Sequence, residues 1–170
     1  MAKKRRVLKK GHIVYTKKGS FVIKLAKELA RELKPFCKKI KIAGSLRRHE
    51  QNPDDIDIVL IPKNKEKIKD FLIKKGNYIQ GGEQQATFKI RGIKVELYYT
   101  IPKEFGATLL AYSSNKGPTI GLRVVAKKEG FKLSRHGLFK EGKKEKFIAG
   151  KTEREIYKAL GRSYKSPEKR

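Results

Sequence analysis

Ile40-Lys41-Ile42-Ala43-Gly44-Ser45-Leu46-Arg47-Arg48, followed closely by Asp54-Asp55-Ile56-Asp57-Ile58-Val59-Leu60-Ile61, is the stretch on which the fold turns. Ile40 and Ile42 alternate with lysines, which predicts a short strand running into Gly44-Ser45; a second strand opens at Asp55 after the Asn52-Pro53 turn. Side chains alternate along an extended strand, so Asp55 and Asp57 project together while Ile56, Ile58 and Leu60 point into a core. Neighbouring carboxylates raise one another's proton affinity and are costly to hold together unless a cation or a shared proton lies between them. A turn at Gly44-Ser45 that opens a helix offers free N–H groups, a hydroxyl and a favourable dipole to an anion, and Arg48 is placed to clamp phosphate oxygens.

Working outward, residues 20–34 read as an amphipathic helix with Val22, Leu25, Ala26, Leu29 and Leu33 on one stripe, stopped by Pro35. A helix over 64–75 puts Ile68, Phe71 and Leu72 on one face; Gly76-Asn77 ends it and Gly81-Gly82 marks the next turn. Two strands, around 86–90 and 93–100, are joined by Arg91-Gly92 as a hairpin. On the second, Lys94, Glu96 and Tyr98 share a face opposite Val95, Leu97 and Tyr99, so Glu96 supplies a third carboxylate if this strand lies beside that of Asp55. Beyond Pro102 the pattern predicts a helix at 103–112, a turn over 113–118, a helix at 119–128 and short strands flanking Gly137. Thr152-Glu153-Arg154-Glu155 is a capping box for a last helix that Gly161 closes. The expected fold class is α+β, a mixed sheet flanked by helices with a small α+β lobe. Its divisions are a basic arm over 1–19, a first domain over 20–101 and a second over 102–170.

A chain of 170 residues can bury a core without disulfides, and its one cysteine, Cys37, reads as a core thiol in a reducing compartment. No apolar run approaches the roughly 20 residues a bilayer requires, and the N-terminus lacks the apolar segment of a secretory signal. A soluble, intracellular protein is expected, cytoplasmic or, if the N-terminal basic cluster acts as an import signal, nuclear. Forty-four Lys and Arg against 17 Asp and Glu give a formal charge of +27. That far exceeds the magnitude of about 2–8 that solubility asks of a small domain, so a polyanion is the expected partner. A membrane surface is disfavoured, since no lysine-rich helix carries a bulky aromatic face.

Asp55, Asp57 and Glu96 are all oxygen donors, which selects Mg²⁺ over softer metals. Two such ions beside a phosphate cradle would activate a hydroxyl nucleophile and neutralise a leaving pyrophosphate. The bland alternative is that these acidic groups are merely paired with lysines.

Gly44-Ser45-Leu46-Arg47-Arg48, Asp55-Ile56-Asp57-Ile58 and Lys94-Val95-Glu96-Leu97 resemble the palm motifs of the nucleotidyltransferase superfamily, and within it those of family X DNA polymerases. The likeness continues through 105–112, 121–133, Gly137-Leu138-Phe139 and Tyr164-Lys165-Ser166-Pro167, which are similar to that family's thumb. It implies a palm over 20–101 and a thumb over 102–170. By this resemblance Asp55 and Asp57 would bind both Mg²⁺ ions, with Mn²⁺ able to substitute, and Glu96 the catalytic one beside the primer 3'-hydroxyl. Gly44, Ser45, Arg48, Tyr112, Ser113 and Ser114 would hold the incoming nucleotide. Lys94, Arg123, Lys127, Lys128, Lys132 and Arg135 would contact DNA, Arg123 on the template side and Lys94 near the primer terminus. Glu96 stands where the family usually has Asp, which is expected to slow the reaction or favour Mn²⁺. Ala111-Tyr112-Ser113-Ser114 stands where many members have Tyr-Phe-Thr-Gly, and the small Ala111 predicts weak exclusion of ribonucleotides.

The expected activity is template-directed DNA synthesis that fills short gaps in repair, on gapped or nicked duplex with dNTPs. A DNA ligase is a candidate partner, and a monomer is expected. With the chain fully used by palm and thumb, no lyase domain is expected. Two alternatives stay open: a template-independent or RNA-directed nucleotidyltransferase, and a basic nucleic-acid binder without catalysis.

Overall fold

Thr16 opens the first helix, α1 (Lys17–Leu33), its hydroxyl accepting the Gly19 N–H at 3.0 Å. The helix therefore starts three residues ahead of the position its apolar stripe suggests. The computed structural model describes residues 14–170, without the side chains of Lys116 and Pro118. Most of the basic arm expected over 1–19 lies outside the described residues. Val22, Leu25, Ala26, Leu29 and Leu33 are all buried along one face of α1, each contributing about 1–3 kcal/mol in apolar transfer where fully enclosed.

After a turn carrying Pro35, the chain forms β1 (Cys37–Ile42), the single helical turn α2 (Gly44–Arg47) and β2 (Asp55–Pro62). Asn64 caps α3 (Lys65–Ile73), which is followed by β3 (Gly76–Gly81), β4 (Gln85–Ile90) and β5 (Ile93–Tyr99). The expected hairpin is present, with Arg91 and Gly92 both at positive φ, as a two-residue turn of this hand demands. β3 departs from expectation. Gly76-Asn77 does end a helix, but it also begins an edge strand whose side chains are mostly exposed, so no alternation of burial marks it.

The five strands lie in the order β1-β2-β5-β4-β3. β2 and β5 run parallel, and every other pair is antiparallel. The parallel pair sets the site: Asp55 is partnered with Lys94 and Asp57 with Glu96. One face of the sheet places Ile56, Ile58, Leu60, Val95 and Leu97 in a core with α1 and α3 residues. The opposite face holds Val59, Ile61 and Tyr98 under Ala43, Phe105 and Leu109, and the three carboxylates stand at the open end of that second face.

The remaining chain comprises α4 (Phe105–Ser113), α5 (Lys116–Lys128), β6 (Phe131–Ser134), β7 (Gly137–Lys140), β8 (Lys146–Ala149) and α6 (Glu153–Ala159). The last three strands make a separate antiparallel sheet in the order β6-β7-β8. α5 begins earlier than expected because Pro118 falls in its first turn, where a backbone N–H has no helical acceptor to lose. α4 belongs to both cores: Phe105 and Leu109 cover the large sheet, while Ala107 and Leu110 join Leu138, Ile156 and Tyr157. A side chain at Gly106 would meet the Thr152 backbone at 2.3 Å, so glycine is what lets α4 seat on the start of α6. The Thr152–Glu155 capping box is formed. No helix among the described residues is long and apolar enough to cross a membrane.

Candidate active site

Asp57 is the centre of the open face. Its backbone carbonyl accepts the Ala43 N–H at 2.8 Å, tying β2 to the turn that opens α2. One carboxylate oxygen, Oδ1, accepts from the Tyr98 hydroxyl at 3.2 Å. The other, Oδ2, lies directly over Gly44, where an added Cβ would come within 1.9 Å of it. Gly44 also has φ +60°, a conformation that side chains disfavour. Burial, together with the negative charges of Asp55 and Glu96, pushes the Asp57 carboxyl up to about 7 despite the Tyr98 bond and nearby Lys94. A group so raised marks a cluster short of positive charge.

Glu96 finds part of that charge in Lys94, whose Nζ lies 2.9 Å from its Oε2. The bond to Glu96 chiefly raises the proton affinity of Lys94, and Asp55 and Asp57 add to it. As they stand, no three Asp, Glu, His or Cys side chains among the described residues are gathered closely enough to ligate one ion; Glu96 is turned onto Lys94 instead. The donor chemistry nevertheless fits a hard divalent cation, since every candidate ligand is a carboxylate oxygen and Asp57 is starved of compensating charge.

The residues expected to hold a nucleotide lie along the same edge. Ser45 Oγ is buried with no hydrogen-bond partner, an unmet polar group beside the carboxylates' turn. Arg48 donates through Nε and Nη2 to Glu50 at 3.0 and 2.6 Å and through Nη1 to the Ser113 carbonyl at 3.3 Å. Because α2 spans only four residues, its dipole is small, and the expected anion attraction falls mainly to free N–H groups, Ser45 and Arg48. Tyr112 stacks on Tyr98 with ring centroids 3.6 Å apart. Ser113 is buried, its hydroxyl likewise without a partner, and Ser114 Oγ donates to the Leu110 carbonyl at 3.0 Å.

The expected DNA contacts divide. Arg123, Lys127 and Lys128 are exposed along α5, and Lys132 is exposed and paired with Glu145 at 2.8 Å. Arg135 differs: its guanidinium is folded inward, donating to the Tyr99 carbonyl at 2.6 Å and the Tyr112 hydroxyl at 3.2 Å. Expected at the DNA, it has both terminal nitrogens bonded within the protein, while its Nε is buried without a partner.

Sequence reasoning missed the trio of Arg47, Glu153 and Arg170, in which Glu153 and Arg170 are buried and Arg47 partly so. Arg47 grips Glu153 through two bonds of 2.8 and 2.7 Å, and Arg170 Nη1 adds a third at 2.7 Å. Nothing local signals a pairing across more than a hundred residues. Tyr98 was visible on the Glu96 face of β5, but its bond to Asp57 depends on strand pairing.

Comparison with known proteins meets this geometry. The DNA polymerase beta thumb family matches residues 108–170. The repair DNA polymerase X of an African swine fever virus tick isolate from Pretoriuskop is 30% identical over 150 residues, covering 81% of this chain and 84% of the relative. That of a Malawi tick isolate is 29% identical over 152 residues, with the same coverage. The DNA polymerase/3'-5' exonuclease PolX of Bacillus subtilis is 25% identical over 158 residues, 87% of this chain but 27% of that longer protein. With sheet, carboxylate strands and thumb match in agreement, the chain belongs to family X of the DNA polymerases.

Proposed function

We propose that this chain is a template-directed DNA polymerase that fills short gaps during repair, joining a dNTP to a primer 3'-hydroxyl on gapped or nicked duplex. The single observation that carries this reading is the parallel pairing of β2 with β5, which sets Asp57 beside Glu96 with Asp55 two residues away. Asp55, Asp57 and Glu96 would hold two Mg²⁺ ions, for which Mn²⁺ can substitute; bound there, they would lower the proton affinity of the attacking hydroxyl and offset charge on the departing pyrophosphate. Gly44 leaves room for Asp57 and for a phosphate to approach the backbone, Ser45 offers its unmet hydroxyl, and Arg48 adds a guanidinium. Lys94, paired with Glu96, would stand near the primer end. Arg123, Lys127, Lys128 and Lys132 grip the duplex, and Tyr112, Ser113 and Ser114 border the sugar, with Ala111 leaving a 2'-hydroxyl weakly excluded.

The net charge of +27 favours broad contact with phosphates. Binding should weaken with salt at a log–log slope of about −0.9 per neutralised phosphate. A monomer working ahead of a DNA ligase suits a product that is a nick. The test extends a labelled primer across a one-nucleotide gap with Mg²⁺ or Mn²⁺, comparing wild type with Asp55→Ala and Asp57→Ala. Templated addition that both substitutions abolish supports the reading. Untemplated addition assigns the chain to terminal transfer, and DNA binding without incorporation under either metal reduces it to a basic binder.

A further inference from the structure

Four side chains form a continuous ladder from the second lobe to the central carboxylate. Arg135, in the turn between β6 and β7, donates to the Tyr99 carbonyl at 2.6 Å and to the Tyr112 hydroxyl at 3.2 Å, with its guanidinium carbon 5.3 Å from the centre of the Tyr112 ring. Tyr112, near the end of α4, lies flat on Tyr98, the planes only 14° apart. Tyr98, buried at 7% exposure, delivers its hydroxyl to Asp57 Oδ1. The ladder joins β5, α4 and the β6–β7 turn at one point. Such an arrangement leaves the phenol little freedom: the stack fixes its plane, and enclosure fixes its reach.

We infer that Tyr98 is a positioning residue that sets the orientation of the Asp57 carboxylate for cation binding, and that Tyr112 and Arg135 hold Tyr98 in place. With Oδ1 engaged by the phenol and Oδ2 seated over Gly44, the carboxylate plane is fixed from both sides. A fixed ligand loses less rotational freedom when it takes up an ion than a free one does. Cation affinity at Asp57 therefore depends on a residue that touches neither metal nor nucleotide, and through Arg135 on the seating of the second lobe. This inference rests on the proposed polymerase reading and deepens it.

The test uses the full chain bound to gapped DNA and a non-hydrolysable dNTP analogue. Mn²⁺ is titrated in and its free concentration read by electron paramagnetic resonance, with nucleotide incorporation measured in parallel. Tyr98→Phe keeps the ring and its stack and removes only the hydroxyl. It should weaken Mn²⁺ binding about tenfold, the effect of one hydrogen bond to a charged group, and lower kcat while leaving KM for DNA within twofold. Tyr112→Leu should produce the same weakening by removing the support, and Tyr112→Phe, which keeps the stack, a smaller one. Circular dichroism melts confirm that each variant is folded.

A wild type that incorporates nucleotides while folded Tyr98→Phe binds Mn²⁺ as well as wild type, or better, overturns this inference and leaves the polymerase reading standing. So does Tyr112→Leu with unchanged Mn²⁺ affinity. A wild type that binds no Mn²⁺ and incorporates nothing overturns both.

Discussion

Asp57 and Glu153 are both carboxylates drawn away from water, and their surroundings push them in opposite directions. Around Asp57 stand Asp55 and Glu96, with one phenol and the Lys94 ammonium as partial compensation, and burial with like charge lifts its carboxyl to about 7. Burial also acts to raise Glu153, but hydrogen bonds from Arg47 and Arg170 outweigh it and hold that carboxyl below its ordinary range. Two guanidinium groups supply Glu153 with everything a buried anion requires. Glu153 is complete within the protein; Asp57 is complete only with something added. On the proposed reading, the difference separates a carboxylate that ties α6 to α2 from one that would take a cation, in a chain whose 44 basic residues could have neutralised either.

Breaking the starved side of this comparison gives the largest effect. Asp57→Asn should lower incorporation by on the order of 10³-fold, the cost of losing several kcal/mol of cation-mediated charge stabilisation. The same variant should melt higher than wild type at pH 8 without divalent cations, because its neutral amide escapes Asp55 and Glu96. Primer extension and a thermal melt on one preparation check both signs, and an Asn variant that is inactive but less stable would show Asp57 to be structural. Breaking the satisfied side comes next. Glu153→Gln should destabilise the fold by about 4 kcal/mol, since it strands Arg47 and Arg170 without their counter-charge, and urea denaturation would read it.

Acidity moves the two sides apart, with a window set by the direction of each shift. Asp57 takes up a proton on folding, so its contribution to metal-free stability is full below about 4 and is lost as pH rises through about 7. The loss is on the order of 4 kcal/mol. Glu153 has the opposite sign: its contribution is present above the ordinary carboxylate range and is lost as pH falls below it. Metal-free stability should therefore peak between these limits. Mg²⁺ should stabilise more at pH 8 than at pH 6, where protons compete for Asp57. Denaturation midpoints across pH 3–9 test this, and a curve unchanged by Asp57→Asn on its alkaline side would remove Asp57 as the cause.

The two regions also differ in how much of them could be read from sequence. The Asp57 side was legible because its information is local: a Gly-Ser turn, an Asp-x-Asp at strand spacing and Glu96 on one face of a hairpin strand each follow from alternation and turn chemistry. The Arg47–Glu153 contact spans 106 positions, and Glu153 in the sequence looks only like the first residue of a capped helix. β3 escaped for another reason, since an exposed edge strand carries no pattern of burial. At Arg135, charge alone does not say which way a guanidinium points. Its inward fold depends on Tyr99 and Tyr112, which lie in elements brought together only by packing.

Gly44 offers the smallest and most discriminating break, because it separates backbone strain from carboxylate placement. Gly44→Ala meets two obstacles: φ of +60° costs about 1–2 kcal/mol for a residue with a side chain, and the new Cβ would fall 1.9 Å from Asp57 Oδ2. The first obstacle is independent of Asp57. The second requires the carboxylate to swing away, which breaks its bond to Tyr98 and releases the orientation that cation binding needs. In the wild-type background, therefore, Gly44→Ala should cost stability and also weaken Mn²⁺ affinity. In an Asp57→Ala background the clash has no partner, and only the backbone cost of about 1–2 kcal/mol should remain. Urea denaturation of the four proteins closes the cycle. A coupling energy near zero would mean that Asp57 moves aside freely, and a carboxylate that moves freely is not one held in readiness for an ion.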